Sequence, residues 1–144
     1  MPVVPVVYDL LPQAPVEMLV SGDEYHWASP VTNHIWVVNP EHGALPDVAY
    51  ALMRIQSRVE TSESALFRLA AYDSGPSNPI PLAWLRNSHP GEGRISSDGV
   101  YFEAGLRQIL ALNQYKQLGW QMAGDSTHPV TIFDVRLEIG WRVA

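Results

Sequence analysis

The chain has 144 residues, a formal net charge of −6, no cysteine, and a charged fraction of only 17%. Binding to phosphate backbones or anionic membranes needs clustered Lys and Arg side chains, yet the first basic residue is Arg54, so neither is expected as a partner. The absence of cysteine excludes disulfides and thiol chemistry. The length predicts one domain, and no apolar run in the sequence is long enough to span a membrane.

Residues 1–20 combine four prolines with a set of apolar and aromatic side chains. The prolines exclude a regular helix and favour an extended backbone. Two interpretations remain: an edge strand of the domain's own sheet, or an extended arm that lies in a groove of a neighbouring subunit. We therefore treat residues 1–20 as a candidate arm and residues 21–144 as the folded domain. The candidate subunit interface consists of Val3, Val4, Val6, Val7, Tyr8, Leu10 and Leu11.

The middle of the chain alternates between strand-like segments and turns rich in Gly and Pro. Residues 48–59 fit either a helix or a strand, and the polar turn that follows favours a strand paired in a hairpin with residues 65–71. Residues 104–113 are compatible with a short helix or a strand. Further strands are predicted at residues 34–38, 82–86, 95–103 and 114–123.

The last segment, residues 131–143, has the most regular pattern in the chain. From Phe133 to Val143 every second residue is apolar, which predicts a long strand with one buried and one solvated face. We expect Leu137 and Trp141 to be buried. Short strands separated by turns throughout the chain predict an all-β protein, an antiparallel β-sandwich with an extended N-terminal arm.

The closing half of the chain resembles galactose-binding-like jelly rolls. The resemblance rests on the segment Leu118–Gln121, the turn after it, and the final strand that begins TIFDVRLE. It implies that the sandwich is a jelly roll, and it carries over no site residue.

No catalytic, metal-binding or cofactor-binding motif stands out, so we expect no enzyme, metal or cofactor. Ser126 lies in a Gly-Asp-Ser sequence of the kind that begins one class of serine esterases, but here it falls in a turn between two strands near the C-terminus. The five histidines lack the spacing of a zinc site. Asp134 and Glu138 share a predicted wet face with Arg136 and Arg142, which indicates ion pairing rather than glycoside hydrolysis.

Two functional hypotheses follow. A small jelly roll with an apolar arm resembles the decoration or cement proteins of phage capsids, which implies a homotrimer that binds another capsid or assembly protein in a virion. The alternative is a non-catalytic carbohydrate-binding module that is secreted or displayed at a cell surface. Its candidate site is the acidic aromatic loop that contains Asp23, Glu24 and Trp27.

Overall fold

The computed structural model describes residues 2–12, 15–18, 27, 35–36, 48–60, 64–72, 79–102, 117–124 and 129–142. Every regular element within these ranges is a β-strand. The strands are β1 (Val3–Asp9), β2 (Val16–Met18), β3 (Ile35–Trp36), β4 (Val48–Val59), β5 (Ala65–Tyr72), β6 (Pro79–Arg86), β7 (Ile95–Tyr101), β8 (Gln117–Gly124) and β9 (Val130–Arg142). Within the same ranges, no helix is long and apolar enough to cross a membrane.

The strands form two antiparallel sheets that pack as a β-sandwich. The first sheet has the order β1-β9-β4-β7, with β2 also paired to β9, and the second has the order β3-β8-β5-β6. From β3 onward the chain crosses repeatedly between the sheets, which is the two-sheet connectivity of a jelly roll. The predicted all-β sandwich is therefore confirmed.

Strand β9 has neighbours on both sides, β1 and β2 on one and β4 on the other. Its inward side chains Val135, Leu137, Ile139 and Trp141 are all at most 1% exposed. The prediction of a long strand with one buried face is confirmed, because alternate side chains of a strand point to opposite faces.

The prediction that Phe133 belongs to this apolar face is wrong. A register shift pairs Gln56 with Asp134 but Ser57 with Ile132, so Phe133 is the extra residue of a β-bulge. The phenyl ring of Phe133 instead lies 5.5 Å from the guanidinium of Arg58. Before the bulge the even-numbered residues Val130 and Ile132 point into the core, and after it the odd-numbered residues from Val135 onward do so.

The N-terminal segment belongs to the domain's own sheet, as the edge-strand alternative required. Strand β1 pairs along its whole length with β9. Leu10 and Leu11 are buried in the core, and the Leu10 amide donates to the carbonyl oxygen of Val135 at 2.8 Å. These two leucines are therefore core residues, and their assignment to a subunit interface is wrong. Val6 and Tyr8 pack partly against the same core.

Three residues of the candidate interface remain at the surface. Val3, Val4 and Val7 are exposed on the edge strand β1. The structure thus reduces the candidate interface to this edge, and the proposed contact with a neighbouring subunit stays a prediction.

Residues 48–59 form a strand, as expected, but the predicted hairpin with residues 65–71 is wrong. Strand β4 pairs with β7 and β9, whereas β5 pairs with β6 and β8. Each strand already has two neighbours, so the chain crosses between the sheets after β4. The apolar faces of the two strands both point into the core. Residues 104–113 lie outside the described residues.

Trp120 of β8 links the second sheet to the N-terminal segment. It is 1% exposed, its ring centroid lies 6.3 Å from that of Phe67, and its indole Nε1 donates to the carbonyl oxygen of Leu10 at 3.1 Å. Buried indoles combine a large apolar area with one hydrogen-bond donor that needs a partner.

Trp120→Ala is therefore expected to lower the free energy of unfolding by about 3–5 kcal/mol, because it leaves a cavity and an unpaired carbonyl. Trp84→Ala is the matched control, since Trp84 is 65% exposed and its truncation should cost within about 0.5 kcal/mol. Denaturant titration measures both. Similar losses for the two variants would contradict the assignment of the core.

Candidate binding groove

The outer face of the first sheet carries a groove of about 360 Å³ across β4, β7 and β9. This volume lies in the range of small-ligand pockets, roughly 300–1,000 Å³. Its polar and aromatic lining is supplied by Arg54, Gln56, Ser97, Asp98, Tyr101, Asp134 and Arg136. We call this feature the outer groove.

Strand pairing explains where the outer groove lies. Leu52, Arg54 and Gln56 of β4 pair with Tyr101, Gly99 and Ser97 of β7, and these residues share the outer face. Gly99 contributes no side chain, and the side chains of Leu52 and Arg54 lie beside this position. A Cβ added at Gly99 would come within 3.3 Å of the Cδ1 atom of Leu52.

Tyr101, the last residue of β7, contributes an aromatic ring to the outer groove. It is 66% exposed, and it pairs across the strands with the buried Leu52. A tyrosine in this position presents an apolar ring and a polar hydroxyl to the same ligand.

Two charged residues of β9 pair with each other within the groove. The Nε atom of Arg136 lies 3.0 Å from one carboxylate oxygen of Asp134 and 3.1 Å from the other. This confirms the predicted ion pair on the wet face of the strand. Arg142 donates to the carbonyl oxygen of Val48 at 3.1 Å.

A tyrosine–glutamate pair lies on the same face of the sheet. The hydroxyl of Tyr50 donates to Glu138 Oε2 at 2.7 Å, and this hydrogen bond, with a smaller contribution from burial, raises the pKa of Tyr50 above its ordinary value of 10.0. The ring of Tyr50 lies directly over Gly140, where a Cβ atom would overlap it. Glycine is thus needed at 140 for the ring to cover the strand.

Hydrogen bonds between polar side chains of β4 and β7 and the loop that connects β6 to β7 hold this loop in place. The side-chain amide of Asn87 donates to Ser57 Oγ at 2.7 Å. The carboxylate of Asp98 accepts hydrogen bonds from the hydroxyl of Ser96 and, at 3.3 Å, from the amide of Ser88. Asp98 borders the outer groove, but its carboxylate is engaged by this loop.

The predicted glycan site does not coincide with the outer groove. Trp27 lies on the second sheet, where its ring centroid is 4.3 Å from the guanidinium carbon of Arg68. Trp84 pairs across the strands with Arg68 and is exposed, so this face carries a second aromatic that the sequence analysis did not select. Asp23 and Glu24 lie outside the described residues.

The other candidates from the sequence are the five histidines and Ser126. Within the described ranges, no three His, Cys, Asp or Glu side chains come together as a metal-binding group would require. Several candidates fall outside those ranges, namely His26, His34, His42, His128 and Ser126.

The sequence matches no family model and no curated protein. Among solved structures, the fold is similar to endo-1,4-β-D-xylanase 10B of Clostridium thermocellum, whose structure contains CBM22-1 and GH10 modules with bound xylohexaose. The similarity has a TM-score of 0.38 and 13% sequence identity, and it covers 95% of this chain and 29% of the xylanase chain. A similarity this low supports no inference about function.

Gly140→Ala is expected to destabilise the protein by about 1–3 kcal/mol, because the new methyl group must displace the ring of Tyr50. In a Tyr50→Ala background the same change should be neutral or stabilising, since alanine restricts the unfolded chain more than glycine does. A double-mutant cycle by thermal unfolding measures the coupling. Equal costs in both backgrounds would show that the ring does not restrict position 140.

Proposed function

We propose that the protein is a non-catalytic carbohydrate-binding module and that the outer groove is its sugar site. The observation that carries this proposal is an exposed aromatic, Tyr101, beside a row of hydrogen-bonding side chains on a rigid sheet. Such a module would act outside the cell or at its surface.

The chemistry of the outer groove fits a sugar better than an apolar ligand. A pyranose ring has faces of C–H groups and an edge of hydroxyls that both donate and accept hydrogen bonds. The ring of Tyr101 offers an apolar surface for a C–H face, while Gln56, Ser97 and Arg136 offer donors and acceptors for hydroxyls.

The scaffold reduces the entropic cost of binding. Leu52 to Gln56 of β4 form continuous ladders with both β7 and β9, so the backbone beneath the groove is already ordered. A preformed site loses less conformational entropy when a ligand binds than a loop site does.

The carboxylates near the groove favour binding over hydrolysis. Glycoside hydrolysis needs one carboxylic acid and one free carboxylate on opposite sides of the scissile bond. Here Asp134 is paired with Arg136, Glu138 accepts from a tyrosine hydroxyl, and Asp98 accepts from the β6–β7 loop. Each acid is thus engaged by the protein itself.

Tyr101→Ala is expected to weaken sugar binding by about tenfold or more, which corresponds to the loss of roughly 1.4 kcal/mol or more of contact energy. Ile95→Ala is the matched control, because Ile95 lies on the same face of β7, is 54% exposed and does not line the groove. Oligosaccharides that bind the parent protein on a glycan panel are titrated by calorimetry.

Three results would contradict the proposal. The first is a panel on which no glycan binds the parent protein. The second is an equal loss of affinity for the Tyr101 and Ile95 variants. The third is a loss caused by Trp84→Ala alone, which would assign binding to the second sheet.

A second candidate function is self-association through β1. Val3, Val4 and Val7 expose an apolar edge strand, and such edges are common sites of pairing between chains. The partner proposed for this edge is a second copy of the same chain. The expectation of a phage capsid decoration protein gains no support from the fold or the comparisons.

If β1 mediates self-association, Val7→Lys should convert the oligomer to a monomer. The folded state should tolerate the change, because Val7 is 52% exposed and pairs across the strands with Glu138. Ile95→Lys, on the opposite edge of the sheet, is the control. Sedimentation velocity of the parent protein and both variants decides the question, and a monomeric parent protein would exclude this candidate.

A further inference from the structure

Strand β1 forms one edge of the first sheet. Among the described strands it pairs only with β9, and its register runs from Val3 to Asp9 without a shift. The unpaired N–H and C=O groups along an edge strand are a template on which another chain can add a strand. The free edge of β1 is therefore a candidate interaction surface.

Alternate residues of β1 direct their backbone groups to β9. The amide of Leu10, the residue after β1, donates to the carbonyl oxygen of Val135 at 2.8 Å. Because antiparallel pairing uses the backbone groups of every second residue, the even-numbered residues of β1 face β9 and the odd-numbered residues face the free edge. Pro5 is odd-numbered, so its missing N–H group interrupts no bond to β9.

The free edge carries few of the features that usually prevent pairing between chains. Such features include lysine, bulges and prolines. Strand β1 has no basic residue and no bulge, and Pro5 removes only one of its outward donors. Val3 and Val7 on the outer face are exposed. Val4 points toward the core and is still 41% exposed, so the inner side of the edge is accessible as well.

We infer that two copies of the chain join through their β1 strands in antiparallel pairing, with the two-fold axis at Val6. The inference rests on the second candidate function, and it adds the geometry of the contact. The interface uses the same edge of both copies, so neither β1 strand remains free for a third chain. The two first sheets become one continuous sheet.

The charge of the edge favours antiparallel over parallel pairing. Asp9 is the only charged residue of β1. With the axis at Val6, Asp9 lies opposite Val3 of the second copy, and the two Asp9 positions are six residues, or about 20 Å, apart along the strands. Parallel pairing in register would place the two carboxylates side by side, and like charges in that position destabilise a sheet.

The axis at Val6 pairs the whole strand with itself. Val4 lies opposite Tyr8 of the second copy, which is a favourable pair of a β-branched and an aromatic side chain. Pro5 lies opposite Val7, and the carbonyl oxygen of Pro5 accepts from the Val7 amide. Apolar side chains therefore meet along most of the interface.

Neighbouring registers fit less well. An axis at Pro5 would place the two prolines opposite each other, where neither can donate a hydrogen bond. An axis at Val7 would leave Val3 and Val4 beyond the end of the paired segment. The position of the proline thus selects the register.

The joined sheet also relates the two outer grooves to each other. Its strand order is β7-β4-β9-β1, followed by β1-β9-β4-β7 of the second copy. The two β4 strands are five strand spacings apart, roughly 24 Å at about 4.8 Å each. Sheet twist turns the grooves away from each other but leaves them on the same side of the sheet. If the outer groove binds sugar, the dimer holds a polysaccharide at two points, and the second contact benefits from a high effective concentration.

Single cysteines test the register, because the chain contains none of its own. Val6→Cys places two thiols across the axis, where Cα atoms lie about 4.5 Å apart, within the range of about 4.4–6.8 Å that disulfides span. Val3→Cys is the control on the same strand, because its two copies would be about 20 Å apart. Ile95→Cys, on the opposite edge of the sheet, reports random collisions.

Under mild oxidation, Val6→Cys is expected to become a disulfide-linked dimer, while Val3→Cys and Ile95→Cys stay uncrosslinked on a non-reducing gel. Faster crosslinking of Val7→Cys than of Val6→Cys would overturn the register and leave self-association through β1 intact. A monomeric parent protein in sedimentation would overturn both.

Proline substitution provides a readout that needs no cysteine. The Val7 amide faces the free edge, so Val7→Pro should give a folded monomer that keeps every bond to β9. Val6→Pro is the matched contrast, because it removes a bond to β9 and should lower the melting temperature of the monomer more. A dimer that survives Val7→Pro would contradict the inference.

The two grooves are tested with a glycan that binds the parent protein, used as a short oligosaccharide and as an immobilised polymer. The dimer should bind the polymer about tenfold or more tightly than Val7→Pro does, and both should bind the oligosaccharide equally. Equal binding of the polymer would overturn the two-point arrangement. Absence of binding to every glycan would overturn that arrangement and the proposed sugar site, while crosslinking at position 6 would still establish the interface.

Discussion

The structure depends on the two-sided pairing of β9. One face of this strand supplies the centre of the core through Val135, Leu137, Ile139 and Trp141, and the other supplies Asp134 and Arg136 to the outer groove. Both follow from the period of two along a strand. The strand that stabilises the sandwich therefore also supplies charged side chains to the candidate binding surface.

Two local departures from a regular sheet shape that surface. The bulge at Phe133 resets the alternation of β9, so Asp134 faces the groove while Val135 still faces the core. At Gly99 a Cβ atom would meet the Cδ1 atom of Leu52 at 3.3 Å, so glycine allows the side chain of Leu52 to pack beside β7. Bulges often redirect a side chain near a functional surface.

The faces of single strands could be predicted from the sequence, because alternation is a local property. Leu137 and Trp141 are buried as expected. The pairing of the strands was harder to predict from the sequence than their faces. The turn at residues 60–64 favours a hairpin locally, but the pairing of β4 with β7 and β9 depends on contacts between distant segments. The outer groove combines three such strands, so no local motif indicated it.

The most direct test of the account is an amide chemical-shift titration of the isotopically labelled protein with an oligosaccharide that binds it. The account predicts that the large shifts cluster on the first sheet, within residues 52–56, 97–101 and 134–136. Shifts centred instead on Arg68 and Trp84 of the second sheet would contradict it, because that face lies on the opposite side of the sandwich.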